Sequence, residues 1–130
     1  MPSIFSKIIA GNIPCYKVAE NEHCFAFLDI NPLTKGHTLV VPKREVDYLY
    51  DLNEIDYLEL MKFSKQVALA IKKVIPCNRV TSTVLGFEVP HAHVHLIPAQ
   101  TEHDANFHNA KLKLTKEEFA EIAQKIAAAF

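Results

Sequence analysis

Three of the chain's seven histidines stand at alternate positions in "HAHVHLIP", His91 to Pro98. Side chains on a strand alternate between its faces, so a spacing of two puts His91, His93 and His95 on one side, about 6.5–7 Å apart. Ala92, Val94 and Leu96 then point the other way, which suits a core. Imidazoles in such a row have three uses. Two at i and i+2 can share a metal ion, but three in line span about 13 Å, too far for one ion, so further ligands must come from elsewhere. A purely structural role is the second, although Val or Thr would fill such a face without imidazoles stacked side by side that resist joint protonation. The third is phosphorus chemistry. One imidazole attacks a phosphoryl centre and forms a covalent intermediate, while its neighbours hold phosphate oxygens and protonate a leaving group. That last use employs every residue of the row.

A row of this kind needs a sheet behind it. "CFAFLDINP" (Cys24 to Pro32) reads as an aromatic-rich strand ending at an Asn-Pro turn. "GHTLVVPK" (Gly36 to Lys43) is an apolar run suited to a strand buried on both faces, and the intervening "LTKG" is the size of a hairpin turn. From Asn53 to Ile75 the period becomes helical. Ile55, Leu58, Met61, Ala68, Ile71 and Ile75 share a stripe widened by Leu60, Val67, Ala70 and Val74. Asn53 is a capping residue, Glu54 and Asp56 fall in the first turn, Lys72 and Lys73 in the last, and Pro76 closes the helix. "RVTSTVLG" (Arg79 to Gly86) alternates as another strand, joined by "GFEVP" to the histidine strand. In the tail, Thr115 and Glu118 form a capping box for a helix with Phe119, Ile122, Ala123 and Ile126 on its apolar side. Strands grouped between helices and joined by tight turns predict an α+β fold with an antiparallel sheet.

With 130 residues, 49% hydrophobic, 22% charged and a net charge of −1, the chain is sized for one domain and has no electrostatic case for nucleic acid or a membrane surface. A small-molecule partner fits better. No apolar run has the length of a membrane span, and "MPSIFSKIIAGNIP" lacks the core and cleavage site of a signal peptide, so a cytoplasmic protein is expected. Cys15, Cys24 and Cys77 are odd in number and far apart, which argues against a disulfide framework.

"HAHVHLIP" resembles the motif of the histidine triad (HIT) superfamily, and "IFSKIIAGNIPCYKV", "FAFLDINP" and "GHTLVVPK" are similar to that family's N-terminal half in the same order. The likeness covers residues 4 to 98 and is nearest to the branch of histidine-triad nucleotide-binding proteins. It implies a HIT-like fold: a five-stranded antiparallel sheet, one long central helix and a C-terminal helix. One HIT domain over residues 1–130 is expected, with its core at about 4–98 and a C-terminal loop and helix at 99–130. It implies a homodimer whose sheets continue across the two-fold axis, and no cofactor or metal. The activity implied is hydrolysis or transfer at the 5′-phosphate of purine nucleoside monophosphate derivatives, phosphoramidates or phosphoanhydrides, through a nucleotidyl-histidine. His93 would be the nucleophile. His91 and His95 would contact the phosphate and assist the leaving group, and His37 would stand beside the triad. Asp29 would bind the ribose hydroxyls, and Ile4, Phe5, Ile8, Phe27 and Ile30 would line the base slot.

Other readings stay open for single residues. Asp29 can cap the Asn31-Pro32 turn, His37 can be an exposed loop residue, and the phenylalanines can be plain core. The loop before the triad is short, "LGFEVPH", with Phe87 and Glu88 where relatives have polar phosphate contacts, and a carboxylate there repels phosphate. Ser3 and Ser6 occupy the places of a Cys-x-x-Cys found in zinc-binding relatives. His103 and His108 lie in a polar stretch expected to be an exposed loop or dimer arm. Alternatives to the hydrolase are a nucleotide-binding regulatory module with little catalysis and a metal-dependent hydrolase.

Overall fold

The computed structural model describes residues 1–130. Helix α1 (Ile4–Ile9) precedes strands β1 (Lys17–Glu20), β2 (Cys24–Leu28) and β3 (Thr38–Pro42). The long helix α2 (Glu54–Val74), strands β4 (Arg79–Thr83) and β5 (Val94–Ala99) and helix α3 (Lys116–Ala128) follow, with short helical turns at Leu49–Asp51 and Glu102–Ala105. The strands form one sheet in the order β1-β2-β3-β5-β4, and every neighbouring pair is antiparallel. The α+β architecture with five strands is the one expected. The fifth strand, which no alternation in the sequence marked, is β1.

Strand alternation divides the sheet's side chains between two cores. Ala26, Leu28, Val40, Val94 and Leu96 pack with Leu60, Phe63, Val67 and Ile71 of α2 and with Phe119, Ala123 and Ile126 of α3. Phe25, Phe27, Leu39 and Val41 face the other way and are covered by Phe5 of α1. β2 and β3 are therefore buried on both faces, which explains their continuous apolar runs. The histidines belong to the second face: His95 is paired with Leu39 across the ladder.

Two expectations need correction. The histidine strand begins at Val94, so only His95 of the triad lies within β5. Continuing the β3–β5 register would oppose Ala92 to Pro42, which has no N–H to give. The Ala92 N–H donates instead to the Val46 carbonyl (2.7 Å) and that of His91 to Val89 (2.8 Å). The stripe read for α2 is buried or packed against the core except at Ile55 and Leu58. Leu60, Phe63, Ser64, Val67, Ala70 and Ile71 are buried, whereas Ile55, Leu58 and Leu69 are 67%, 56% and 55% exposed. At about 100° per residue these three fall on the side opposite the core. Apolar residues occur on both sides of this helix, and the stripe read from the sequence reaches onto the exposed side at Ile55 and Leu58.

The helix ends follow the sequence closely. Asn53 caps α2 by accepting the Asp56 N–H (2.8 Å). In α3 the Thr115 hydroxyl accepts the Glu118 N–H while the Glu118 carboxylate accepts that of Thr115. No helix is long and apolar enough to cross a membrane.

Candidate active site

Four histidines meet between α1, the start of β3 and the approach to β5. His37 is placed by Gly36, whose φ of 92° is open to glycine and whose missing Cβ would meet Ile75 Cγ1 at 3.1 Å and Pro98 Cγ at 3.3 Å. The Leu33 N–H donates to His37 Nδ1 (3.0 Å). A neutral ring with an accepting Nδ1 carries its hydrogen on Nε2, and that N–H donates to His95 Nδ1 at 3.0 Å. By the same logic His95 carries its hydrogen on Nε2. Burial, reinforced by the neighbouring His95, pushes His37 down to about 3, and burial with the nearby His93 pushes His95 down to about 4. Both rings are neutral at physiological pH, and their tautomers follow from a backbone amide.

His93 is oriented from the opposite side. Its Nδ1 lies 2.7 Å from the His91 carbonyl oxygen. A carbonyl only accepts, so Nδ1 carries a hydrogen, and in the neutral ring the lone pair sits on Nε2. The ring sits edge-on to Phe5 and to His95, each at 4.9 Å between centroids.

His91 differs from the expectation. Its ring is fully buried, with Nε2–H donating to the Pro42 carbonyl (2.8 Å) and Nδ1 accepting from the Ser3 hydroxyl (2.7 Å). Both nitrogens are used and the ring does not line the cavity, so it has nothing to offer a phosphate. Because His91 lies ahead of β5, it is not held to the strand's alternation.

The cavity in front of His93 and His95 measures about 550 Å³, within the usual range for small-molecule sites. Ile4, Phe5, Ile8, Phe27 and Ile30 line it, as do Asp29 and His37. Asp29 fits both of its readings. Its Oδ1 accepts the Asn31 N–H (2.8 Å), a turn cap, while Oδ2 lies 3.6 Å from His37 Nε2 on the cavity wall. Burial raises its pKa, opposed by the Asn31 hydrogen bond.

The family model of the HIT domain matches residues 10–102. This chain belongs to the HIT family. It is 36% identical over 132 residues to an uncharacterised HIT-like protein of Borreliella burgdorferi, covering 95% of each. To an adenosine 5′-monophosphoramidase of Schizosaccharomyces pombe it is 37% identical over 106 residues, covering 78% of this chain and 77% of that one. Its fold superposes on the crystal structure of a Hit-like protein from Bartonella henselae with a TM-score of 0.85 at 31% identity, over 98% and 96% of the two chains.

Several cavity residues of this HIT protein carried no sequence signal. Phe107 and Lys111 come from the polar stretch after β5. Phe107 sets its ring edge-on to His95 (4.8 Å) and His37 (6.2 Å). It is the one aromatic residue among polar neighbours there, and that isolation was the available clue. His103 and His108 are exposed, as expected for that stretch. The shortened loop contributes Phe87 and Glu88 to the cavity rim, with Phe87 94% exposed. Ser3, the partner of His91, stood out in the sequence only as the residue in place of a cysteine of zinc-binding relatives. Asp29, His37 and His95 offer donor atoms within 4.8 Å of one another, the one set that can hold a metal ion. A cation there would have to displace the proton shared by His37 and His95.

Proposed function

We propose that this HIT protein hydrolyses purine nucleoside 5′-phosphoramidates, and related phosphoanhydrides, through a nucleotidyl intermediate on His93. The observation that carries this reading is the His93 Nδ1–H bond to the His91 carbonyl, which directs a free Nε2 lone pair at the cavity. Nε2 attacks the 5′-phosphorus in line, an N–P bond forms and the bond to the leaving nitrogen or oxygen breaks. The leaving group departs with a proton taken from water. The hydroxide left by that transfer then attacks phosphorus, the N–P bond returns its electron pair to Nε2, and the nucleoside monophosphate leaves. Throughout, His95 Nε2–H donates to a phosphate oxygen and counters the developing charge. Asp29 accepts from the ribose hydroxyls, and the base lies between α1 and the Phe27 side of the sheet. The fission-yeast relative's name, adenosine 5′-monophosphoramidase, supports the same reaction class.

The test is turnover of adenosine 5′-phosphoramidate with a chelator present. His93→Ala should lose about four orders of magnitude in kcat while still binding AMP, and slow substrates should leave a nucleotide on His93 detectable by mass spectrometry. Retained activity in His93→Ala would overturn the reading. Glu88 on the cavity rim favours a second one, a nucleotide-binding module with little catalysis; AMP binding without turnover in the wild type would establish it.

The reading extends to a cytoplasmic homodimer. Three free cysteines suit a reducing compartment. β4 ends the sheet with an unpaired edge, and the exposed Ile55, Leu58 and Leu69 side of α2 offers apolar surface. Light scattering should give twice the 14.7 kDa of one chain; a monomer would refute the dimer.

A further inference from the structure

Ser3 ties the first helix to the triad. Its hydroxyl oxygen accepts the Ser6 N–H (3.0 Å), capping α1, and its hydrogen goes to His91 Nδ1 at 2.7 Å across 88 residues of chain. Glu45 holds the capping residue in turn. One of its carboxylate oxygens accepts both the Ser3 N–H and the Ser6 hydroxyl, each at 2.6 Å. Ser3 is 6% exposed and His91 fully buried, so no water replaces this donor.

We propose that Ser3 is a positioning residue for the nucleophile: its hydroxyl holds the His91 ring, whose tautomer the Pro42 carbonyl fixes, and the His91 carbonyl then holds His93 Nδ1–H so that Nε2 faces the substrate phosphorus. The proposal rests on the hydrolase reading above for its kinetic consequence, though not for its geometry. The His91 ring bridges α1 and β3 through Ser3 and the Pro42 carbonyl. Without the hydroxyl, Nδ1 is a buried acceptor with no donor. The other tautomer would turn an Nε2 lone pair against the Pro42 carbonyl, and two acceptors repel. The ring must therefore move. The peptide that moves with it carries the carbonyl that orients His93, in a segment outside the β5 ladder. Two residues along α1 from Ser3, Phe5 edges onto both His91 (5.8 Å) and His93 (4.9 Å).

Ser3→Gly is the informative variant, because glycine caps helices nearly as well as serine, and Ser3→Thr restores the hydroxyl. With adenosine 5′-phosphoramidate, Ser3→Gly should lower kcat about 10-fold and leave KM within about threefold, and Ser3→Thr should recover kcat. Nitrogen NMR of the imidazoles should show His91 and His93 ring shifts displaced in Ser3→Gly and restored in Ser3→Thr. A capping role alone would lower the melting temperature but leave kcat and the His93 nitrogens unchanged; that result overturns the proposal. If the wild type turns over no phosphoramidate, the hydrolase reading fails, while the nitrogen shifts still decide for or against Ser3. Should Ser3→Gly not fold, Ser3→Cys, close in shape but a weak donor, takes its place with the same expectations.

Discussion

Each imidazole lining the cavity has its tautomer traced back to a backbone group. The Leu33 amide sets His37, His37 sets His95, and the His91 carbonyl sets His93. With hydrogens so assigned, His93 and His95 present one lone pair and one N–H donor in front, the pairing that attack on a phosphate ester requires. Asp29 stands on the cavity wall beside His37. Its carboxylate is split between the turn and the cavity, so Asp29→Asn should preserve the turn while losing the charge-assisted hydrogen bond to ribose. KM for the ribonucleotide should rise about 10–100-fold, in keeping with about 1.5–3 kcal/mol for such a bond. The wild type's preference over the 2′-deoxy substrate should shrink to the same degree. A variant that still discriminates between the two sugars would remove Asp29 from ribose recognition.

At the scale of elements, α2 carries two distinct apolar surfaces, one buried against the sheet and one exposed. Leu60 is fully buried against the sheet, so Leu60→Ala should cost about 2–5 kcal/mol in urea denaturation. Ile55 lies on the opposite side and is mostly exposed. Ile55→Asp should leave the far-ultraviolet circular dichroism unchanged and shift the light-scattering mass toward the single chain. Equal destabilisation by the two substitutions would mean that the buried side of the helix is misassigned. The short helix α1 is the less obvious element. It has six residues, too few to stand alone in water, and is held by the Ser3, Ser6 and Glu45 hydrogen bonds and by Phe5 in the front core.

The whole molecule answers to acid through its buried imidazoles. An unfolded chain begins to protonate its histidines as pH falls below about 6.5. The folded chain withholds the proton from His95 until about 4 and from His37 until about 3. Between those limits the unfolded state binds more protons, so stability is full above the unfolded value and declines as the solution is acidified. From pH 7 to pH 5 each ring should remove about 2 kcal/mol, in a range where ordinary carboxylates do not yet titrate. Urea midpoints measured at the two pH values should differ accordingly. Unchanged midpoints would show that the rings are not kept neutral by burial.

Much of this was legible in the chain itself. The caps at Asn53 and Thr115, the continuous apolar runs of β2 and β3, and the collinear motifs around His37 and His93 are local features, and local sterics and hydrogen bonding decide them. β1, at four residues, was too short to leave a pattern. Tertiary structure alone decided that Ile55 and Leu58 of α2 stay outside the core, because that depends on the sheet the helix meets. It also turned His91 inward, since Pro42 breaks the ladder and offers a carbonyl to the ring, and it brought Phe107, Lys111 and Ser3 to a site far from them in sequence. A residue's type reports what it can bond to; only the packed chain supplies the partner.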